Sequence, residues 1–177
     1  HVNMALIAKL IPSYMFMPGE FEEIGRITDN RNDDFMFNQG RTRGYAKTKF
    51  HDYNIAYKTL AHLPNVQVFM EQIEAYKDYL VVSGQGLNEQ MKDFDYLLAV
   101  GELFTMVAYG QLIIESARME GVSDEIMNQM FDVFVRDFSS FAVDLYGKPL
   151  NTDAQIEKII KMIKRPVPND AEFEKIL

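Results

Sequence analysis

The longest apolar run in the chain lies between Tyr96 and Ile114, where only Glu102 and Gln111 interrupt a series of apolar or weakly polar residues. A helix that is apolar around most of its circumference has to be covered on several sides, by other helices or by lipid. The run is nearly as long as a bilayer-spanning helix, which needs roughly 20 residues. We predict a central helix of a soluble bundle over 95–120, because amphipathic segments follow it and need a surface to bury against. A membrane helix is the alternative.

Two amphipathic patterns flank this run, and each has apolar residues spaced by three or four, as in a helix with one buried face. The first begins after Pro64, which suits the first turn of a helix, and ends before Ser83 and Gly84. The second begins after Ser123, an N-cap residue, and ends before Gly147. The apolar positions are Val66, Phe69, Met70, Ile73, Tyr76 and Leu80 in the first helix and Met127, Met130, Phe131, Phe134, Phe138, Phe141, Ala142 and Leu145 in the second.

The two ends of the chain have weaker patterns. Thr152 and Gln155 have the spacing of a capping box, which predicts a short helix over 153–164. The apolar segment 2–11 predicts a helix that ends at Pro12, because proline lacks the backbone N–H and clashes with the preceding turn.

Between about residues 19 and 62 the periodicity is poor, apart from short candidates at Phe21–Ile24, Asp34–Asn38 and Tyr53–Leu60. So long an irregular segment favours packing on a neighbour that the sequence does not contain. The sequence therefore predicts an all-α protein, an up-down helical bundle preceded by an irregular N-terminal arm. We divide it into an N-terminal apolar helix and irregular arm (1–62), a helical bundle (63–150), and a short helix with a tail (151–177).

Composition narrows the possible partners. The chain has 177 residues, of which 47% are hydrophobic, so it forms one domain with a sizeable core. Its net charge of −8 argues against nucleic acid, since phosphate contacts need a basic face. There is no cysteine, which fits a reducing compartment, and no signal-peptide pattern is visible. We therefore expect a cytoplasmic location and no membrane contact.

Recognisable catalytic motifs are scarce. The histidines are His1, His51 and His62, and neither of the last two follows a glutamate by three residues, as the ligands of a di-iron bundle do. No His-Glu-x-x-His zinc motif occurs. The Gly-x-Gly at 84–86 lacks the third glycine of a dinucleotide-binding loop. The residues alone thus predict no metal site and no catalytic residue.

A few single residues carry alternative interpretations. Glu102 and Glu115 on the central helix are candidate acids, although a buried glutamate paired with a cation or tyrosine is the favoured interpretation. His51 and Asp52 are a candidate orienting pair, for which a structural hydrogen bond is favoured. Ser139, followed by a second serine, is expected at the surface.

The segment 39–49 carries four positive charges, Arg41, Arg43, Lys47 and Lys49, and no acid. A phosphate-bearing ligand would suit these arginines and glycines. An ordinary loop, salt-bridged to an acidic neighbour, is favoured.

A family resemblance extends these expectations. The opening residues, HVNMALIAK from His1 to Lys9, are similar to the segment just beyond the catalytic Glu-Gly-Thr motif of acyl-CoA dehydrogenases, where a pattern such as Gln-Ile-Gln-x-Leu-Ile-x-Ala-Arg opens the last conserved helix. Later stretches resemble the C-terminal extension of a long-form subgroup of bacterial acyl-CoA dehydrogenases. They are Phe35–Gly40, Phe50–Tyr53, Leu63–Val66, Leu97–Ile114, Val135–Phe138, Leu145–Pro149 and Lys164–Val167, which together extend over most of the chain.

The resemblance implies a parent flavoenzyme that introduces an α,β double bond into a fatty acyl-CoA. A carboxylate base would take the α-proton and FAD the β-hydride, and electrons would pass to an electron-transfer flavoprotein. In many members the base is the Glu of the Glu-Gly-Thr motif, which would precede His1. His1 falls where family members often have a glutamine that contacts FAD, so it is the one carried-over cofactor-binding candidate.

We therefore expect the C-terminal helical part of an FAD-dependent acyl-CoA dehydrogenase, with a structural or interface role and no bound flavin or activity of its own. Its expected partners are the catalytic core of the parent and further copies in a homo-oligomer. The acyl-CoA substrate and the electron-transfer flavoprotein are partners of the parent. The alternative is an independent helical protein-binding module with no enzymatic activity.

Overall fold

The computed structural model describes residues 2–19, 50–84, 89–169 and 174, with side chains from Lys9 onward. This part of the chain contains six α-helices, one 3₁₀-helix and no strand, so the predicted all-α class is confirmed. The elements are α1 (Val2–Phe16), α2 (Tyr53–Thr59), α3 (Pro64–Ser83), the 3₁₀-helix (Gln90–Lys92), α4 (Phe94–Glu120), α5 (Asp124–Tyr146) and α6 (Asp153–Met162).

Local capping sets the ends of the helices, with the predicted caps at Ser123 and Thr152 confirmed and the last helix two residues shorter than predicted. The Asp93 side chain accepts hydrogen bonds from the first backbone N–H groups of α4, and Gly121 ends that helix in the left-handed conformation at φ 68°. Ser123 caps α5, and Thr152 forms a capping box with Gln155 at the start of α6. These boundaries depend on residues a few positions apart, which explains why they are readable from the sequence.

The central helix α4 packs against α1, α2, the 3₁₀-helix and α5. Its first turn lies beside the end of α5, where Lys148 Nζ is 3.0 Å from Asp95 Oδ2. Farther along, the rings of Tyr109 and Phe134 are 5.7 Å apart. The residue numbers fall on one helix as they rise on the other, so α4 and α5 are antiparallel.

The helix α3 packs most closely on α5 and α6. Gln72 Nε2 donates to the carbonyl oxygens of Val135 on α5, at 3.2 Å, and of Met162 on α6, at 2.8 Å. Toward α4 the contact is made by long aromatic side chains, since the hydroxyl of Tyr76 donates to the carbonyl oxygen of Val100 at 2.9 Å. Large tyrosine rings therefore fill the space between α3 and α4.

The core is centred on Phe69, which has no exposed surface. Its ring lies 5.4–5.5 Å from those of Phe131, Phe134 and Phe138, each in an edge-to-face arrangement. Phe134 packs on α4 through Tyr109, as predicted, whereas the ring partners of Phe138 are on α3. The predicted apolar stripes of α3 and α5 thus face one aromatic core.

The helix α1 continues through Pro12 to Phe16, so the prediction that it ends at Pro12 is wrong. The proline ring lies on the exposed side of the helix. On the other side, Ile11, Tyr14 and Met15 are buried at helical spacing. Their packing on α4 stabilises the helix on both sides of the proline, which offsets the hydrogen bond that proline removes.

Where the predicted N-terminal arm is described, its helix α2 packs on α4, and packing of the arm on a surface outside the chain stays a prediction. Tyr53 and Tyr57 on α2 are each 1% exposed. The hydroxyl of Tyr57 donates to the carbonyl oxygen of Val107 on α4 at 2.7 Å. Residues 20–49, which include most of the predicted arm, lie outside the described residues, and the proposed division at 62 stays a prediction.

Among the helices described, α4 is long and apolar enough to cross a membrane by length and composition. Within its most apolar window, 56% of the residues are buried inside the fold. A buried core helix passes the same test, and Leu103, Val107 and Ile114 have no exposed surface. The packing therefore accounts for much of the apolar character of α4.

The aromatic core makes a first prediction. Phe134→Ala or Phe138→Ala should each lower the free energy of unfolding by roughly 3–5 kcal/mol, because each leaves a cavity between helices. Val133→Ala on the exposed side of α5 is the matched control and should change it by no more than about 0.5 kcal/mol. Denaturant unfolding measures all three. If all three variants lose the same small amount of unfolding free energy, the assigned core face of α5 is wrong.

A second prediction concerns Gly110, where α2 and α4 approach each other closely. A Cβ atom at this position would overlap the hydroxyl oxygen of Tyr57. Gly110→Ala should therefore destabilise the protein by about 1–3 kcal/mol, although alanine favours helix by about 1 kcal/mol.

The Tyr57→Phe background removes the overlapping oxygen and supplies the control. There the same glycine substitution should cost less, since the nearest remaining ring atom is 3.3 Å away. A double-mutant cycle measures this difference. Strictly additive effects would refute the close approach.

Candidate functional site

A cavity of about 330 Å³ lies between α1, the last turns of α3, the 3₁₀-helix and the first half of α4. None of the described residues that line it is charged. They are Ile11, Pro12, Phe16, Tyr79, Leu80, Ser83, Gly84, Gln90, Met91, Tyr96, Leu97 and Val100. Since ligand pockets are mostly apolar with a few converging polar groups, this cavity is the candidate functional site.

Helix periodicity places the lining residues on one side of α4. Tyr96 and Val100 are four residues apart, so they lie about one turn apart on the same side of the helix, with Leu97 beside them. Opposite them, α1 contributes Ile11 and Phe16. The walls are therefore aliphatic and aromatic because the buried faces of two apolar helices meet there.

The polar part of the cavity is a pair of tyrosines. The hydroxyl groups of Tyr79 on α3 and Tyr96 on α4 form a hydrogen bond with each other. Gln155 Nε2 donates to the Tyr96 hydroxyl oxygen at 3.3 Å. Both tyrosines are buried, so these hydroxyls are polar atoms in otherwise apolar surroundings.

Gln155 is held in one orientation by the start of α6. The backbone N–H of Thr152 donates to its Oε1 at 2.8 Å, so the amide nitrogen must point the other way. That nitrogen donates to Ser83 Oγ at 2.9 Å and lies 3.1 Å from Gln90 Oε1. The capping box of α6 thereby positions a donor beside the tyrosine pair.

Gln90 completes the network from the 3₁₀-helix. Its Nε2 donates to the carbonyl oxygen of Leu150 at 2.6 Å and to Gln155 Oε1 at 2.8 Å. The network therefore joins the connection between α5 and α6 to the ends of α3 and α4. It fixes the polar side of the cavity with side chains that come from four separate elements.

Burial raises the pKa of Tyr79 far above its ordinary value of 10.0, and the neighbouring Tyr96 raises it further. The hydroxyl therefore stays protonated at any physiological pH. Among the described lining residues there is no cation, so this part of the chain offers neutral hydrogen-bond donors to the cavity.

A second group of tyrosines lies where α1 and α2 meet α4. The hydroxyl of Tyr14 donates to Gln111 Oε1, and Gln111 Nε2 donates to Glu115 Oε1 at 2.8 Å. The ring of Tyr14 stacks on that of Tyr53 at 5.4 Å. Glu115 is half-buried and its hydrogen-bond partner is a glutamine, whereas the favoured interpretation is a buried glutamate paired with a cation or tyrosine.

The other candidate acid is far from Glu115 along α4. Glu102 is half-buried, and burial raises its pKa, with Asp144 adding to the rise and Lys148 opposing it. Asp52 caps α2 by accepting from the backbone N–H of Asn54 at 3.0 Å. The structure brings none of these residues to the cavity.

Of the two serines expected at the surface, Ser140 is exposed and Ser139 is half-buried. The Ser139 side chain lies between α3 and the segment after α6. Its hydroxyl donates to the carbonyl oxygen of Lys164 at 2.7 Å and accepts from Gln72 Nε2 at 3.0 Å. His1 and the basic residues of 39–49 lie outside the described residues. In the described part of the chain, no group of three or more His, Cys, Asp or Glu residues is placed to hold a metal ion.

Sequence reasoning missed most of the cavity. Tyr79 follows Tyr76 by three residues and so extends the predicted stripe of α3, a signal that was available. Gln90 has no such signal, because its partners at 150 and 155 are about sixty residues away.

Comparison with protein-family models, curated proteins and solved structures found no match to this chain.

The buried tyrosines predict a steep loss of stability in alkali. Unfolded tyrosine ionises near pH 10 while a buried hydroxyl keeps its proton, so above about pH 10 the unfolded state binds fewer protons than the folded state. Each such tyrosine then lowers the free energy of unfolding by about 1.4 kcal/mol per pH unit.

Tyr79→Phe removes one of these groups. Denaturant unfolding between about pH 10 and 12 should therefore show a shallower slope than in the unmodified chain. Tyr146→Phe, at an exposed position on α5, is the matched control and should leave the slope unchanged. Parallel slopes for all three proteins would contradict the burial of this hydroxyl.

Proposed function

We propose that this chain is the C-terminal helical part of an FAD-dependent acyl-CoA dehydrogenase, where it covers and stabilises the catalytic part of the enzyme. The proposal rests first on the sequence resemblance, which runs in order from His1 to Val167.

The observation that carries the interface role is an exposed stripe of uncharged side chains on α4, interrupted by the half-buried Glu102. We call it the outer stripe. It consists of Leu98, Thr105, Tyr109, Leu112 and Ser116, which helical spacing places on one side of α4. Leu112 is 60% exposed, Tyr109 55% and Leu98 42%. These side chains lie on the central helix and yet remain accessible.

The chemistry of the outer stripe suits a protein partner. The centres of protein interfaces are poor in charged residues and rich in aromatic ones, and the five positions include a tyrosine and no charge. The net charge of −8 would oppose adsorption to an anionic lipid surface. We therefore assign the stripe to contact with the catalytic part of the same enzyme.

In this proposal, FAD, the acyl-CoA substrate and the electron-transfer flavoprotein are bound by the parent enzyme. The base that takes the α-proton also belongs to the catalytic part. The chain described here contributes apolar cover and a fixed helical scaffold. A cytoplasmic location and a homo-oligomeric parent are parts of the same proposal.

The first test of this function reads the coding sequence that precedes His1 and measures flavin in the purified chain. We expect an upstream Glu-Gly-Thr motif, no bound flavin in the 177-residue chain, and no acyl-CoA oxidation with a dye acceptor. Stoichiometric flavin on the isolated chain would refute the assignment. An upstream sequence without the motif would favour the independent protein-binding module.

The second test measures binding of the chain to the separately produced flavin-containing part. Leu112→Lys should weaken this binding at least ten-fold, because it buries a charge at the contact. Val143→Lys is the matched control on an exposed position of α5 and should bind like the unmodified chain. If Leu112→Lys binds normally, or if the chain adsorbs instead to phosphatidylcholine vesicles, the outer stripe has been misassigned.

A further inference from the structure

We propose that the outer stripe recognises an apolar protein surface that presents one basic side chain, and that this side chain pairs with Glu102. The pairing rests on the proposed function, in which the catalytic part of the enzyme carries that surface. It gives a role to the candidate acid that lies among the exposed residues of α4.

Glu102 lies within the row of side chains that forms the outer stripe. It follows Leu98 by four residues and precedes Thr105 by three, so all three lie on one side of α4. Leu98 and Thr105 are exposed, and Glu102 is half-buried between them. A partner that covers the outer stripe from Leu98 to Tyr109 must therefore also cover the Glu102 carboxylate.

Lys148 cannot serve Glu102 alone, because other acids share its ammonium group. Lys148 Nζ lies 3.0 Å from Asp95 Oδ2 and 3.9 Å from Asp144 Oδ2. Asp95 and Asp144 thus hold this ammonium group in ion pairs, whereas Glu102 forms no ion pair within the described part of the chain. Near the start of α4, three carboxylates are therefore arranged around one cation.

These surroundings disfavour the charge of Glu102 in the free chain. Burial raises the pKa of Glu102 most, Asp144 and Asp95 add to the rise, and Lys148 opposes it. An apolar surface laid over the carboxylate would remove more of its water and add to the cost.

A basic side chain on the partner offsets this cost, as charge pairs across protein interfaces do. It would also balance the excess of carboxylates around Lys148. Arginine suits the position best, because its planar group binds a carboxylate through two N–H donors.

A purely apolar partner makes the opposite prediction. On docking, Glu102 would then be covered without a countercharge, so that replacing it with leucine would remove a cost and tighten binding. With a basic partner the same replacement removes an ion pair and weakens binding. The sign of the change in affinity therefore separates the two kinds of partner.

The first experiment uses the 177-residue chain and three amphiphiles that share one alkyl chain. Octylguanidinium is a cation, octanol is neutral and octyl sulfate is an anion. Each is titrated below its aggregation concentration, and binding is followed by the methyl NMR signals of Leu98 and Leu112. We expect saturable shifts with octylguanidinium and binding of octyl sulfate that is roughly ten-fold weaker or more.

Variants locate the preference at Glu102. Glu102→Gln should bind octylguanidinium no more tightly than octanol. Glu157→Gln, which removes an exposed carboxylate on α6, is the matched control and should bind octylguanidinium like the unmodified chain. Circular dichroism checks that each variant is folded.

The second experiment measures binding of the chain to the flavin-containing part. Glu102→Gln and Glu102→Leu should each weaken this binding roughly ten-fold or more. Glu157→Gln should leave it unchanged.

The pairing is refuted if octylguanidinium gives no saturable shift, or if Glu102→Gln binds octylguanidinium as tightly as the unmodified chain does. It is also refuted if Glu102→Leu binds the flavin-containing part equally well or better, a result that leaves the proposed function standing. If octylguanidinium binds at Glu102 while the flavin-containing part does not bind at all, the proposed function fails. The preference of the outer stripe for a basic, apolar surface is then retained for another protein partner.

Discussion

The structure depends on covering one helix that is apolar on almost every side. Leu103, Val107 and Ile114 on α4 have no exposed surface, although they lie in the middle of a 27-residue helix. A helix of this kind is stable in water only if several neighbours remove its sides from solvent. In this chain α1, α2 and α5 supply that cover. The short N-terminal helices are thus part of the core, because α5 alone cannot enclose α4.

Sequence patterns were sufficient where the determining residues are close together. The stripes of α3 and α5 and the caps at Ser123 and Thr152 follow from spacing within one or two turns. They failed for Pro12, where packing on α4 outweighs the local preference to end the helix. They indicated a short helix over 53–60, which is present as α2, but nothing in that segment reveals that Tyr53 and Tyr57 pack on α4.

The residues of the cavity also could not be predicted from local sequence patterns, because their contacts join distant parts of the chain. The capping box indicates where Gln155 begins α6, and the structure shows the same side chain donating to Tyr96 and Ser83. The capping role of Gln155 can be recognised from the sequence, but its hydrogen bonds to distant residues cannot. The tyrosine pair joins positions 79 and 96 across a connection of irregular sequence, so its hydrogen bond follows from the way α3 and α4 pack.

The buried polar residues in the described part of the chain are all asparagine or glutamine, which makes the interior sensitive to chemical ageing. Asn65 is the clearest case, because its Nδ2 donates to the carbonyl oxygens of Asn128 and Val167, each at 3.2 Å. Asparagine is among the residues that heat damages. Deamidation would replace this donor with a carboxylate oxygen facing two carbonyl oxygens, which is costly for a buried charge even though the other side-chain oxygen still accepts from the Val167 N–H at 2.7 Å. The hydrogen bonds that connect α3 to α5 and to the segment after α6 would then be lost in a growing fraction of molecules as the protein ages.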